Sequence, residues 1–368
     1  MTSSFDGGMT LADRMRRHAQ DRTHLYGELM RAMADDWEAG GPVRSICRGW
    51  ENAPTGAVVQ LRLLAGLFRI VLTGRAPELE PYYPCLGGDA PPSEAWPKVR
   101  LVLSTHVEEL HEALDVAPQT NEVGRSTALV VGLFEAVRRS GLTRVRLLEP
   151  GASAGLNLLV DQIRFVGEGW SFGPEQSPLV MADCFEGPVV PTEFTVVDRR
   201  GCDLEPVDAT TDEGALRLRS FVWPFQLERH ERLVHALRIA RTHPPVVDQA
   251  SASDWFGNQL ATPPADDTVT VVWQSITRQY WPADEVVAVG NAVRDAATRM
   301  PLAWVAMEYP DDGVQAHVTL SGLGEDGSPC TDDVVLGQVG DHGVPMVMRD
   351  GRTAAAKPRG PAQQMPRS

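Results

Sequence analysis

The chain has 368 residues, of which 43% are hydrophobic and 23% are charged, and its formal net charge is −15. This length and composition predict one large folded domain or two ordinary ones, and they exclude a collagen, a coiled coil and a wholly disordered chain. The acidic balance opposes binding to phosphate backbones and to anionic lipid, so we expect neither nucleic acid nor a membrane as a partner.

The first 140 residues have the apolar spacing of helices. We expect residues 1–10 to be disordered and residues 11–140 to form a helical cap region. Thr120 or Asn121 is the predicted N-cap of the last helix in this region. The predicted helices span residues 11–39, 57–73, 98–114 and 121–140.

Beyond residue 141, short β-rich runs alternate with helical segments. The predicted strands are at residues 145–148, 194–197, 269–273, 304–307, 316–320, 334–339 and 344–348. The clearest helical segments between them are residues 214–241 and 283–299. This alternation favours a mostly parallel sheet covered by helices, with antiparallel strands near the C-terminus. We therefore predict an α/β fold, with a Rossmann-like domain over residues 141–350 and a disordered tail over residues 351–368.

The cysteine and histidine patterns argue against a metal site. The five cysteines are odd in number and contain no Cys-x-x-Cys pair, which predicts reduced thiols, a cytoplasmic location and no disulfide framework. His230, His235 and His243 do not have the spacing of paired metal ligands and favour a solvated helix face. No apolar run approaches the roughly 20 residues that span a bilayer, and the N-terminus lacks the apolar core of a secretory signal.

The most informative segment, residues 144–165, reads RVRLLEPGASAGLNLLVDQIRF. A short strand ends at Glu149, whose carboxylate can accept a hydrogen bond from a ligand hydroxyl or amine. Small residues let the following backbone turn tightly and approach a ligand, and the predicted helix after them presents free N–H groups. The small or polar residues of this turn are Gly151, Ser153, Gly155 and Asn157.

Three interpretations of this turn are open. The pattern Glu-x-Gly-x-Ser-x-Gly resembles the first motif of class I S-adenosylmethionine-dependent methyltransferases, in which the turn cradles the methionine part of the cofactor. The same residues fit the nucleophile elbow G-x-S-x-G, with Ser153 as nucleophile and His317 or His342 as base. Helices precede this strand, however, where that hydrolase fold has strands. The third interpretation is a tight turn without chemistry.

Acidic residues after the next strands are candidates for the rest of a cofactor site. In a Rossmann-like sheet an acid after the second strand binds ribose hydroxyls. Asp198, Asp203 and Asp208 are the candidates, provided that an insertion occupies residues 167–191. Asp254 follows a weak apolar pair and either binds an adenine amino group or, as we slightly favour, caps the next helix.

Several motifs together resemble one family. They are QTNEVGR at residues 119–125, EPGASAGLN at 149–157, and VWP at 222–224. On these motifs the chain resembles the domain of unknown function 2332 family over roughly residues 13–347. The resemblance implies a fold like that of the methyltransferases, while the activity has to be argued from the site.

The chain departs from this family at two positions. Phe225 stands where members usually carry an acid, and Gln274 stands where members often carry a histidine after the fourth strand. An amide does not titrate, so Gln274 cannot replace a general base. It either orients a substrate by hydrogen bonds or is a neutral amide of the core.

The QTNEVGR motif also has two interpretations. Asn121, Glu122 and Arg125 are polar residues in the first turn of a predicted helix, and Glu122 and Arg125 share a face at i,i+3 spacing. They form either a capping cluster or, as the family resemblance favours, a set of contacts over the glycine turn to cofactor or substrate.

We expect a small-molecule enzyme that transfers a methyl group from S-adenosylmethionine, mainly by aligning it with a nucleophile. The expected cofactor-binding residues are Glu149, Gly151, Ser153, Gly155, Asn157, Asp203 and Asp254. The residues expected on the substrate side are Asn121, Glu122, Arg125, Gln274 and Tyr280. One alternative is a cofactor-independent enzyme of specialised metabolism, in which an amine displaces a leaving group such as sulfate within one molecule. The other is a non-catalytic scaffold that supports a partner subunit.

Overall fold

The computed structural model describes residues 9–119, 121–310 and 313–349. The chain forms two compact units, of which unit 1 contains residues 1–120 and 211–231, and unit 2 contains residues 121–210 and 232–368. The predicted tail, the N-cap Thr120 and residues 1–8 of the predicted disordered N-terminus lie outside the described residues. Thr10 is described, and it is the N-cap of the first helix rather than part of a disordered segment.

The described residues contain eleven α-helices. They are α1 (Leu11–Ala19), α2 (Leu25–Glu38), α3 (Pro42–Ile46), α4 (Val59–Leu72), α5 (Trp96–Thr105), α6 (Val107–Ala113), α7 (Ser126–Ser140), α8 (Asp212–Ser220), α9 (Leu227–Thr242), α10 (Ala252–Gln259) and α11 (Ala283–Ala297). The unit boundaries differ from the predicted domains, because α7 belongs to unit 2 and α8 belongs to unit 1.

Several predicted helices are interrupted. The single helix predicted over residues 11–39 is wrong, because Gln20 has a left-handed φ of 49° and α2 starts afresh with His24 as its N-cap. The helix predicted over residues 98–114 breaks at His106, which separates α5 from α6. The helix predicted over residues 214–241 is split into α8 and α9, because Pro224 in the connection cannot continue a helical hydrogen-bond ladder.

Helix α4 is a core element of unit 1. The stretch Thr55–Leu72 has 18 residues and a mean hydropathy of 1.6, so by length and composition it could cross a membrane, and 56% of it is buried inside the protein. This corrects the prediction that no apolar run approaches that length. Its buried side chains include Leu63, Leu67 and Phe68, which belong to a hydrophobic core shared with α1, α2, α5 and α6.

The described residues also contain twelve strands. They are β1 (Arg144–Pro150), β2 (Arg164–Gly167), β3 (Trp170–Phe172), β4 (Val180–Ala182), β5 (Phe185–Glu186), β6 (Thr195–Asp203), β7 (Val247–Gln249), β8 (Thr268–Ser275), β9 (Leu302–Glu308), β10 (Ala316–Leu323), β11 (Pro329–Val339) and β12 (Met346–Met348). Each predicted strand overlaps one of these. Within the expected insertion, β3 and β4 form a small sheet with β2 in the order β3-β2-β4, and β5 joins the large sheet.

In the described part of unit 2, nine strands form one sheet in the order β5-β12-β11-β10-β9-β8-β1-β6-β7. Strands β7, β6, β1, β8 and β9 run parallel, whereas β10 and β11 are antiparallel to their neighbours. This confirms the predicted α/β fold with a mostly parallel sheet. Helix α7 packs on one part of the sheet, and a separate core joins α10 and α11 to residues of β1, β8 and β9.

Strand β1 is the point at which the sheet reverses its order. The chain passes from β1 to β6 on one side and later adds β8 on the other side. Ligands of open α/β sheets bind outside the carboxyl ends of the strands at such a switch point. Glu149 pairs with Gly201 of β6, and Gln274 of β8 pairs with Ala306 of β9. Glu149, Gln274 and Glu308 therefore lie near the same edge of the sheet.

Candidate functional site

The turn after β1 has three residues in the left-handed region of backbone space. Their φ angles are 68° at Gly151, 55° at Ser153 and 70° at Gly155. The element that follows is a 3-10 helix, Leu156–Gln162, and not the predicted α-helix. It is short because β2 begins at Arg164. The turn therefore does not open into the N-terminus of a long helix, and any ligand contact here depends on the turn itself.

The two glycines of this turn serve close packing within unit 2. A Cβ atom at Gly151 would lie 2.5 Å from Thr277 Cγ2. A Cβ atom at Gly155 would lie 2.9 Å from Pro245 Cβ and from Val247 Cγ2. Together with their positive φ angles, these distances explain why side chains are excluded at both positions.

The side chain of Asn121 forms two hydrogen bonds with the backbone of the turn. Its Nδ2 donates to the carbonyl oxygen of Ala152 at 3.0 Å, and its Oδ1 accepts from the backbone N–H of Leu156 at 3.1 Å. The structure thus places Asn121 of the QTNEVGR motif against the glycine turn, whereas the side chain of Glu122 caps the 3-10 helix Val123–Arg125. Asn121 lies outside any helix, however, and α7 begins only at Ser126 with Arg125 as its N-cap, so the prediction of Asn121 as a helix N-cap is wrong.

Asp203, the last residue of β6, also holds the turn. Its Oδ2 accepts from the N–H of Ser153 at 2.9 Å, and its Oδ1 accepts from the N–H of Glu205 at 2.9 Å. A carboxylate has about four lone-pair sites, so these two bonds leave acceptor capacity. The other acids weighed here are engaged elsewhere, since Asp198 pairs with Arg146 and Asp208 accepts from Thr210.

Glu149 is a buried carboxyl group at the end of β1. Burial is the main cause that raises its pKa to about 8, and the side chains of Asn157, Arg125 and Trp273 oppose that rise. The carboxyl group is therefore mainly protonated at pH 7. Asn157 is itself held by Ser126, whose hydroxyl donates to Asn157 Oδ1 at 3.0 Å.

Gln274 is anchored by one end of its amide. Its Nε2 donates to Glu308 Oε1 at 2.8 Å, and the same oxygen accepts from the N–H groups of Thr277 and Arg278 at 3.0 and 3.2 Å. Glu308 thus fixes both Gln274 and the backbone after β8. This arrangement leaves the carbonyl end of the amide available.

Four side chains at this edge of the sheet carry buried polar atoms without a hydrogen-bond partner in the described parts of the chain. The atoms are Glu149 Oε2, Trp273 Nε1, Gln274 Oε1 and Thr277 Oγ1. Asn157 and Trp273 lie near enough to the Glu149 carboxyl group to oppose the rise in its pKa that burial causes, but neither forms a hydrogen bond of ordinary distance and angle with Oε2. We call these side chains the switch-point cluster. A buried polar group without a partner costs about 1–3 kcal/mol, so such groups mark places where a ligand or water completes the structure.

Glu122 has partners that lie far away in the sequence. Its Oε1 accepts from the N–H of Gly124 at 3.0 Å and lies 3.7 Å from an Arg232 nitrogen. Its Oε2 lies 3.6 Å from His342 Nδ1. No local pattern could have indicated His342, because the loop between β11 and β12 brings it to Glu122. His317 lies instead on β10, 3.0 Å from the side chain of Gln338.

Arg125 contacts the same loop. Its Nε donates to the carbonyl oxygen of Asp341 at 3.0 Å, and another guanidinium nitrogen donates to the carbonyl oxygen of Ser275 at 3.1 Å. The hydroxyl of Tyr309 donates to the carboxylate of Asp341. Arg125 therefore ties the end of β8 to the loop before β12.

Two further candidates lie on surface elements. Asp254 is in the first turn of α10, where its Oδ2 accepts from the hydroxyl of Ser251, the helix N-cap, at 2.9 Å. The N-cap of α10 is therefore Ser251 and not Asp254, which the sequence slightly favoured, and the N–H of Asp254 donates to the Ser251 hydroxyl at 3.3 Å. Tyr280 is 78% exposed in the 3-10 helix Arg278–Tyr280. Among the described residues, no group of three or more His, Cys, Asp and Glu side chains is arranged to hold a metal ion.

The chain belongs to a bacterial family, described as "Uncharacterized protein conserved in bacteria (DUF2332)", which matches residues 10–347. This match confirms the resemblance carried by the motifs around the glycine turn. No curated protein and no solved structure shows a significant match to the chain.

Proposed function

We propose that unit 2 is a Rossmann-like, methyltransferase-like domain and that the protein is a small-molecule enzyme, most simply one that transfers a methyl group from S-adenosylmethionine. The strand order supports this proposal. If the small inserted strands β2–β5 are left out, the strands β1, β6, β7, β8 and β9 are the first to the fifth along the chain. Their order in the sheet is then 3-2-1-4-5, which is the order found in doubly wound folds that bind nucleotide cofactors. The free cysteines of the chain suit a cytoplasmic location, which we also propose.

The observation that carries the proposal is the unpartnered Glu149 Oε2 beside the glycine turn. S-adenosylmethionine has an ammonium group and a sulfonium group, and a carboxylate is the acceptor that such a cation requires. The residues present fit the cofactor in this respect. Glu149 would hold the ammonium group, and the remaining acceptor capacity of Asp203 suits ribose hydroxyls.

The cofactor, when bound, supplies an activated methyl group. The chain contributes orientation, because Gln274 does not titrate and its free carbonyl oxygen can only accept a hydrogen bond. Its Nε2 is fixed by Glu308, so this acceptor is held in place before a substrate arrives. Catalysis by alignment of the two reactants requires such pre-positioned groups.

The same cluster also supports the alternative reaction without a cofactor. An amine substrate would find acceptors in Glu149 and Gln274, both of which have an unpartnered oxygen. In the ring closure, the nitrogen lone pair forms a C–N bond while the C–O bond to sulfate breaks. Sulfate leaves with the electron pair, and the nitrogen releases its proton to solvent.

Calorimetric titration of the full chain with S-adenosylmethionine and S-adenosylhomocysteine tests the proposal. We expect micromolar binding that is lost in Gly151→Val, because the added side chain collides with Thr277 and displaces the turn. Gly257→Val is the matched control, since no atom lies within 4 Å of its Cβ position. Absence of binding to the folded wild-type protein would overturn the cofactor assignment. Turnover of an amine that bears a sulfate ester would then favour the alternative reaction, and no ligand at all would favour the scaffold.

A further inference from the structure

A second set of unpartnered polar atoms lies in unit 1. The atoms without a hydrogen-bond partner among the described residues include Tyr26 Oη, Tyr83 Oη, Arg219 Nε and His230 Nε2. We call these four side chains the unit 1 cluster. Tyr26, Tyr83 and His230 are 2%, 0% and 7% exposed, so the solvated position expected for His230 is wrong. Buried polar groups are nearly always paired, and four unpaired ones in one unit indicate a missing partner.

Aromatic packing holds the members of the unit 1 cluster in place. The ring of Phe68 stacks on Tyr83 with a centroid separation of 4.9 Å and meets the edge of His230 at 5.8 Å. Tyr26 packs against Trp223 at 5.6 Å. These contacts fix the rings while their polar ends stay unpaired.

Cys85 lies among the same side chains. Its N–H donates to the carbonyl oxygen of Pro224 at 3.0 Å, which joins two distant parts of the chain within unit 1. Cys85 is close enough to Tyr26 and Tyr83 to disfavour their ionised forms, and Arg219 is close enough to favour a Cys85 thiolate. Cys85 therefore lies near both tyrosines and near Arg219.

Arg219 is the cationic side chain of the unit 1 cluster, and Arg229 is a second cation near His230. Burial raises the pKa of Tyr26 and Tyr83, and it raises the pKa of the Cys85 thiol to about 11. Burial is the main cause that lowers the pKa of His230 to about 4, and the charges of Arg219 and Arg229 act in the same direction. The backbone carbonyl of Arg219 accepts from the N–H of Val222, whereas its side-chain Nε has no hydrogen-bond partner among the described residues. A partly buried cation without a counter-charge is unfavourable unless an anion joins it.

The hydrogen-bonding capacity of the cluster fits an anion. The carbonyl groups of Trp223 and Val222 accept from the His230 ring, which makes its free Nε2 an acceptor in the neutral tautomer. The two tyrosine hydroxyls and the Arg219 Nε–H remain as donors. Donors of this kind around a guanidinium form strong, charge-assisted hydrogen bonds to carboxylate, sulfate and phosphate oxygens.

We propose that the unit 1 cluster is a second ligand site, which binds a small oxyanion between Arg219, Tyr26 and Tyr83. The Nε2 of His230 accepts the proton of one tyrosine hydroxyl or of a protonated anion oxygen. This site is independent of the glycine turn, because every residue that forms it belongs to unit 1.

The test is calorimetric titration of the full chain with sodium acetate, sodium sulfate and inorganic phosphate at constant ionic strength. We expect saturable binding of at least one anion, with one site per chain. Arg219→Gln should weaken that binding about tenfold to a hundredfold, as expected for the loss of a hydrogen bond to a charged group. Tyr83→Phe and Tyr26→Phe keep the rings and should each weaken it less. The control Arg75→Gln removes a charge from a surface ion pair with Glu109 and should bind like wild type.

The comparison of the three anions identifies which oxyanion the site takes. Equal affinity in Arg219→Gln and wild type would overturn the proposal. Absence of saturable binding for all three anions would also overturn it, and would mean that water alone satisfies the four atoms. If Arg219→Gln does not fold, as judged by circular dichroism, the two tyrosine variants decide the outcome, and unchanged affinity in both would refute the site.

Discussion

Replacing Glu149 by glutamine should change how the stability of the protein depends on pH. The folded protein raises the pKa of Glu149 from its ordinary value of 4.5 to about 8, mainly by burial. Below pH 4.5 the carboxyl group is protonated in both the folded and the unfolded chain. Between pH 4.5 and 8 the folded protein retains a proton that the unfolded chain has released, so the free energy of unfolding falls as the pH rises.

The size of this effect follows from the same values. The slope is at most about 1.4 kcal/mol per pH unit, which amounts to roughly 4–5 kcal/mol over the whole interval. Glutamine is neutral throughout and does not contribute this slope. We therefore expect Glu149→Gln to gain several kcal/mol relative to wild type between pH 5 and pH 8.

Urea unfolding at pH 5, 6, 7, 8 and 9, followed by circular dichroism, measures the difference. Other titrating groups contribute nearly equally to both proteins, so the difference between variant and wild type isolates Glu149. Glu175→Gln, which changes an exposed side chain of the same unit, is the matched control and should show a constant difference. If the difference in unfolding free energy between Glu149→Gln and wild type also stays the same at every pH, Glu149 is not a buried, protonated carboxyl group in the folded protein.

Two predictions concern the turn itself. Asn121→Ala removes the hydrogen bonds to Ala152 and Leu156 and should lower the free energy of unfolding by about 1–3 kcal/mol. An unchanged thermal unfolding temperature would show that these hydrogen bonds do not stabilise the turn. Gly151→Ala should destabilise the protein through its positive φ and its contact with Thr277 Cγ2, and Thr277→Ser, which lacks that methyl group, should recover part of the loss in the double variant. Equal thermal stability of the single and double variants would show that Thr277 is not the obstacle.

The strands were predictable because their apolar, β-branched runs are short and clearly bounded. Strand β8 is buried along its whole length, as expected for a central parallel strand, and its apolar run stood out in the sequence. The glycine turn was predictable for the same reason, because a strand end followed by small residues needs no distant information.

The features that escaped prediction depend on contacts between distant segments. The sequence around Glu122 does not contain its partners Arg232 and His342. Thr277 was missed because only the fold places its methyl group against Gly151. The 3-10 helix after the turn replaces the predicted α-helix because β2 follows at once, and local apolar spacing does not distinguish the two.

The central claim is that Glu149 receives the cationic group of a ligand, and proton release on binding tests it most directly. Calorimetric titration with S-adenosylmethionine at pH 7, in two buffers of different ionisation enthalpy, counts the protons released. Because the carboxyl group is mainly protonated at this pH, we predict that nearly one proton leaves for each ligand bound, and that Glu149→Gln releases none. Binding without proton release by the wild-type protein, or no binding by the folded protein, would contradict the claim.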